Sequence, residues 1–444
     1  MLKKSISVLL TLVMIVSVFT IVPTSAFAED VESNLENQQI NDSTSKEFEA
    51  NVEFVETDET KVQNDETAES EPGEAVTYDD ADIALVGANE QTIDGFTISI
   101  INNNATITAY SDSSVSELVV PSTLNGYTVT AIGANAFYGY TSLQGIELPD
   151  SITEIGEYAF YGDTSLQGLV LPQNLERVWN RSFANCIGLT EITIPKSLTS
   201  VSLRYTYMYP FEGCTNLKKM IFEDGATTIP QYIAAGLSSL EEVTIPDSVT
   251  SIGRNAFIND TSLSNVTLPK NLTAIYDSAF YGCSFTEITI PKNTTTTENP
   301  FGGCENLTKI IFEDGITAIP ATVASNCTKL NDVTIPDGVT NIKANAFYGC
   351  TSLQDIELPD SITEIGEYAF YGDTSLQGLV LPQNLERVWN RSFANCTGLT
   401  EITIPKSLTS VSLRYTYMYP FEGCFFFFST PVFASELIFS NFMI

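Results

Sequence analysis

The chain has 444 residues, 43% of them apolar, and a formal net charge of -35 from 55 acidic and 20 basic side chains. Charge of that sign repels nucleic-acid phosphates and anionic lipid headgroups, so nucleic acid is not an expected partner and membrane insertion of the mature array is not expected. Histidine is absent, which removes the usual general base near neutral pH, the Ser–His and Cys–His nucleophile pairs and the commonest zinc ligand; no enzymatic activity, cofactor or metal is expected.

Lys3 and Lys4, an apolar stretch from Ile6 to Val22 and the triplet Ala26-Phe27-Ala28 have the order of a secretory signal peptide, assigned to residues 1–28. From Glu29 to Asp82 there are 19 acidic side chains against Lys46 and Lys61, so residues 29–90 are read as an acidic disordered linker that cannot bury a core. Phe96–Ile100 and Ala105–Tyr110 flank Asn102-Asn103-Asn104, and residues 91–114 are read as an N-terminal hairpin cap.

From residue 115 to 424 a single pattern recurs. Pro121, Pro149, Pro172, Pro195, Pro246, Pro269, Pro291, Pro336, Pro359, Pro382 and Pro405 fall in register, and Glu223 and Glu313 take the proline position in two further units. The thirteen units are spaced 22, 23 or 28 residues apart, a period that indicates a solenoid. In the unit Leu143-x-x-Ile146-x-Leu148-Pro149, alternation predicts a short strand, and the proline, having no amide hydrogen, ends its pairing. Gly156 then allows a tight turn, and Ala159-Phe160 sends an aromatic ring into the stack. One parallel sheet of about thirteen short strands is expected, continuous through Glu223 and Glu313.

The leucine spacing, the Pro after the strand, Ile-Gly, Ala-Phe and the closing Gly-Cys resemble the BspA-type, or Treponema pallidum-type, leucine-rich repeat. The position two after the proline holds Ser151, Asn174 or Gly338, so a full asparagine ladder is not expected. The resemblance implies a secreted or cell-surface protein that binds host or microbial macromolecules.

Ala134–Cys214 and Ala344–Cys424 are the same text 210 residues apart, differing at Tyr140/Cys350, Gly145/Asp355 and Ile187/Thr397. This reads as array growth by duplication, with two copies of near-identical structure. Residues 425–444 open with four phenylalanines where a strand is due; they are read as an aberrant hydrophobic tail from a truncation or frameshift, the alternative being a membrane anchor.

The eight cysteines share one column of the repeat. A ladder of buried thiols is expected there, with isolated disulfides or a metal site as alternatives. Tyr138, Tyr161, Tyr281, Tyr348 and Tyr371 follow the Ala-Phe pair on the outer rim, where they pack against neighbouring turns or stack on sugar rings. The candidate binding site is the outward strip of the strands: Glu191, Thr193, Glu242, Thr244, Glu287, Thr289, Asp332, Thr334 and Glu401, mildly acidic and rich in threonine. No catalytic residues are assigned. The expected partner is an extracellular protein or glycan; the alternatives are a cell-wall glycan binder or the non-catalytic accessory region of a truncated secreted enzyme.

Overall fold

The computed structural model describes residues 90–205, 207–411 and 419–424. The signal peptide, nearly all of the acidic linker and the hydrophobic tail lie outside them. The described residues form a solenoid of short parallel strands with no helix, entered through an antiparallel cap.

The cap has three strands, one more than the hairpin expected: β1 (Glu90–Ile93), β2 (Phe96–Ile101) and β3 (Asn104–Tyr110). Asp94-Gly95 and Asn102-Asn103 make the two tight turns, all four at positive φ, as two-residue hairpin loops require. Asp94-Gly95 was the signal for the extra strand. β3 then pairs in parallel with Tyr127–Ile132, so the cap lies against the first turn.

Each unit starts with the strand that precedes its proline. In Glu191–Ile194 the isoleucines point inward and are buried, while Glu191 and Thr193 face solvent. The column is hydrogen-bonded in stretches: Glu117–Val119 to Gly168–Val170, Glu191–Ile194 to Glu242–Thr244, Glu287–Ile290 to Asp332–Thr334, and Gly378–Val380 with Glu401–Thr403, which Asp355 joins through a bridge to Gly378. Pairing runs straight through both degenerate units. There the missing proline leaves an extra inter-turn bond: the amides of Glu223 and Glu313 donate to the carbonyls of Ile194 and Ile290 at 3.0 Å, which proline could not do.

A second column of two- and three-residue strands, which sequence reasoning had not resolved, occupies the other side of each turn. It runs from Glu154–Ile155 through Arg177–Trp179 to Ser200–Ser202, and resumes from Thr228–Ile229 onward. These pieces are too short to show a period of two in the sequence. The third side is closed by amide-to-carbonyl bonds from alternate residues of one turn to the next, such as Phe137 to Ala159 and Gly139 to Tyr161, both 2.8 Å.

The core is a stack of rings. Phe137, Phe160, Phe183 and Phe211 lie face to face with centroids 5.1–5.4 Å apart, and Phe347, Phe370, Phe393 and Phe421 repeat the arrangement at 5.1–5.3 Å. A polar residue two after the proline ties several turns to the turn before without an asparagine ladder. The hydroxyl of Ser151 donates to the Val129 carbonyl, and the amide of Asn174 to that of Asp150.

Candidate functional site

All nine residues of the candidate strip are exposed on the outward face of the first strand column. The register places Glu191, Lys219 and Glu242 side by side on successive turns, and Glu287, Lys309 and Asp332 likewise. The Lys219 ammonium lies 3.9 Å from the Glu191 carboxylate and 3.3 Å from that of Glu242; Lys309 lies 3.3 Å from Asp332. The degenerate units therefore supply a cation at the centre of each acidic triplet, and the strip is an alternating ladder more than a uniform negative stripe. Towards the start of the column, Gly145 and Gly168 open a shallow recess of about 630 Å³ between Glu117, Glu147 and Val170.

The cysteine column is interior. All eight thiols are unpaired, and seven are buried. Each donates to a main-chain carbonyl of the preceding turn, as Cys186 does to Phe160 at 3.0 Å and Cys350 to Ala324 at 3.2 Å. Burial pushes the Cys214 and Cys304 thiols up to about 12, which disfavours the nucleophilic thiolate. Asp163, Asp260 and Asp373 occupy the same column. One oxygen of each accepts an amide bond from the turn before, from Tyr140, Leu237 and Cys350 at 2.7–2.8 Å, while Oδ2 is buried without a partner. Desolvation raises Asp163 to about 8 and also raises Asp260 and Asp373. These carboxyls are accordingly held neutral, and each stands in for a thiol.

The largest departure from the repeat was not singled out by sequence reasoning. In the turn after Arg177, Trp179-Asn180-Arg181-Ser182 replaces the Gly156-Glu157-Tyr158-Ala159 of the turn before. The indole of Trp179 donates to Glu154, and the buried Asn180 amide donates to Glu157 at 2.7 Å while accepting from the Arg204 amide at 3.0 Å. Arg181 grips Glu212 with two bonds of 2.7 and 2.9 Å. Between Arg204 and Glu212 the 28-residue unit carries its extra residues, and Tyr205 and Tyr207 stand out at 55% and 76% exposure. The signal was available: the chain's two tryptophans, Trp179 and Trp389, occupy this position in the two duplicated blocks.

Among the described residues no group of three or more Cys, Asp or Glu side chains is placed to hold a metal ion, and no helix is long and apolar enough to cross a membrane.

Short parallel strands ending at proline, an inward ladder of Leu, Ile and Phe and one turn per 22–28 residues define a leucine-rich repeat solenoid. The family model for the BspA-type leucine-rich repeat region matches residues 103–206, 201–301 and 294–424, and the chain belongs to that family. Among solved structures, it is similar to a leucine-rich repeat protein from Bacteroides ovatus at 27% identity, covering 72% of this chain and 90% of that one with a TM-score of 0.52. It is also similar to a leucine-rich cell surface protein from Faecalibacterium prausnitzii, at 25% identity over 80% and 97% of the two chains, TM-score 0.41. The pneumococcal vaccine antigen PcpA aligns at 21% identity over 74% and 89%, TM-score 0.45. No curated protein matches.

Proposed function

We propose that the protein is exported and acts at the bacterial cell surface as a non-catalytic binding module for an extracellular macromolecule, recognised along the outward strip from Glu191 to Glu401. The observation that supports this reading is the ladder itself: exposed Glu, Asp and Thr flanking half-exposed Lys219 and Lys309, held at strand spacing by parallel pairing of each strand with its neighbour. Many weak contacts in register hold a long partner by avidity. Exposed ion pairs contribute only about 0 to 1 kcal/mol each, so affinity comes from their number and falls in high salt.

The test is binding of the full chain to immobilised host matrix proteins and to whole bacteria at low and high salt, for the parent and for Glu242→Lys/Glu287→Lys/Asp332→Lys. The triple variant is expected to fold, because no buried side chain changes, and to lose adhesion. Retained adhesion in the variant, or none in the parent, refutes the assignment.

A further inference from the structure

We propose that the first three turns carry a docking site for a basic segment of a partner protein, lying ahead of the strip and built around a hollow that accepts one lysine or arginine side chain. The parallel register lays out the outward positions as a grid: Glu117, Gly145 and Gly168 stand side by side in one row, and Val119, Glu147 and Val170 in the next. The two glycines leave a gap in the first row, and this gap is the recess of about 630 Å³. A Cβ at Gly168 would meet nothing within 4 Å, and one at Gly145 would collide with the Glu117 carboxylate, which leans over the hollow. Neither glycine has a positive φ, so no turn geometry calls for it. Glycine inside a strand forgoes side-chain packing, and it marks places where a ligand or another backbone comes close.

Charge selects the occupant. The sequence has no Lys or Arg between Lys61 and Arg177, and among the described residues neither Glu117 nor Glu147 has an ion pair. Later on the same face the acidic triplets carry their own cation, Lys219 or Lys309. The carboxylates at the hollow are thus left for a cation from outside. Val119 and Val170, exposed to 63% and 73%, flank Glu147 on its two sides. They offer apolar surface to the aliphatic stem of a long cationic side chain and to its neighbours, which a protein segment has and a bare cation lacks. The second block shows the hollow closed. There Asp355 replaces Gly145, one of the three differences between the blocks, and its carboxylate comes within 3.8 Å of where a Cβ on Gly378 would lie. Asp332, on the preceding strand, is taken by Lys309 at 3.3 Å. The hollow is therefore built once, and the second block serves as its internal control.

The probe is a fluorescein-labelled peptide of glycine and serine with Lys-Val-Lys at its centre, titrated with the full chain by fluorescence anisotropy. The buffer holds about 0.15 M salt, where exposed charges more than about 8 Å apart are largely screened. The parent is expected to bind this peptide and not its analogue with norleucine for both lysines. Gly168→Val fills the hollow without changing charge and suits a strand, so it should fold and weaken binding about 5-fold or more. Glu117→Gln/Glu147→Gln should weaken it comparably. The matched changes in the second block, Gly378→Val and Asp355→Asn/Glu357→Gln, should leave it as in the parent. Circular dichroism melts against the parent show that the variants fold. No binding by the parent, parent-like binding by folded Gly168→Val, or equal losses from the matched changes in the second block overturns the proposal. Spermine competing as well as the unlabelled peptide would assign the hollow to a free polyamine and overturn it too. The strip variant Glu242→Lys/Glu287→Lys/Asp332→Lys should bind the probe like the parent, and Gly168→Val should keep the adhesion ascribed to the strip. Adhesion lost by the strip variant, with no peptide binding in the parent, would sink this inference and leave the proposed function standing.

Discussion

Phe222 meets Phe257 edge-on, with ring centroids 6.3 Å apart and planes inclined by 88°. The turn between them lacks the usual core ring: where its neighbours have Ala-Phe it has Ile233-Ala234, and the phenylalanine column would be broken there. Phe222, at the end of the strand that lost its proline, fills the space from the opposite side. The other degenerate unit repeats the substitution, with Phe312 against Phe347 at 6.4 Å and 84°. The absence of proline and of the core phenylalanine in the same unit are thus two halves of one exchange.

Phe222→Ala should consequently behave as a core deletion, costing about 3 to 5 kcal/mol, although its position in the strand is usually Leu or Ile. Phe222→Leu should cost less, since part of the volume is kept. Denaturant titration measures the loss, and native-state hydrogen exchange should locate it in the turns at Ile221 and Ala234. A cost below about 1 kcal/mol for the alanine change would mean the ring does not fill that gap.

The neutral carboxyls give stability a pH dependence of definite sign. Asp163 is neutral in the fold up to about 8 but ionises near 3.9 when unfolded, so unfolding releases a proton between those values. Its contribution is fully present below about pH 4 and is lost as pH rises towards 8, with a limiting slope of about 1.4 kcal/mol per pH unit. Asp260 and Asp373, raised by the same desolvation, act in the same direction. Asp163→Asn should flatten this part of the stability–pH curve and stabilise the protein at pH 8 relative to pH 4. An unchanged difference between pH 4 and pH 8 would show that the carboxyl is ionised in the fold.

Because every thiol in the column is unpaired, reductant should leave the melting temperature nearly unchanged. Loss of a structural disulfide would cost about 2 to 5 kcal/mol and lower the midpoint by several degrees. A maleimide probe should label the buried cysteines only after denaturation. Rapid labelling of native Cys327 or Cys350 would contradict their burial.

Arg181→Ala should free the Tyr205–Tyr207 segment by removing both bonds to Glu212. Limited proteolysis with chymotrypsin should then cut at those exposed tyrosines faster than in the parent, while the melting temperature changes little, since the pair is part-exposed. Equal cutting rates would show that the loop is held without the arginine.

What the sequence determined by itself was whatever the period of the repeat controls. The proline at each strand end, the Ile and Phe columns, the interior cysteine column and the outward row from Glu191 to Glu401 are set by residues of one turn, and stacking identical turns carries them through the solenoid. Gly139 and Gly162 before the Cys column, and Asn185 in the same place, belong with these, because their positive φ favours glycine and asparagine and shows in the residue choice of that column. What only the tertiary structure decided depends on which side chains from different turns meet. Lys219 between Glu191 and Glu242, Phe222 against Phe257, the carboxyl of Asp163 under the Tyr140 amide, and Tyr158 beside Met208 each join residues 23 to 50 positions apart. Side-chain length and direction settle such pairs, and a one-turn pattern is blind to both.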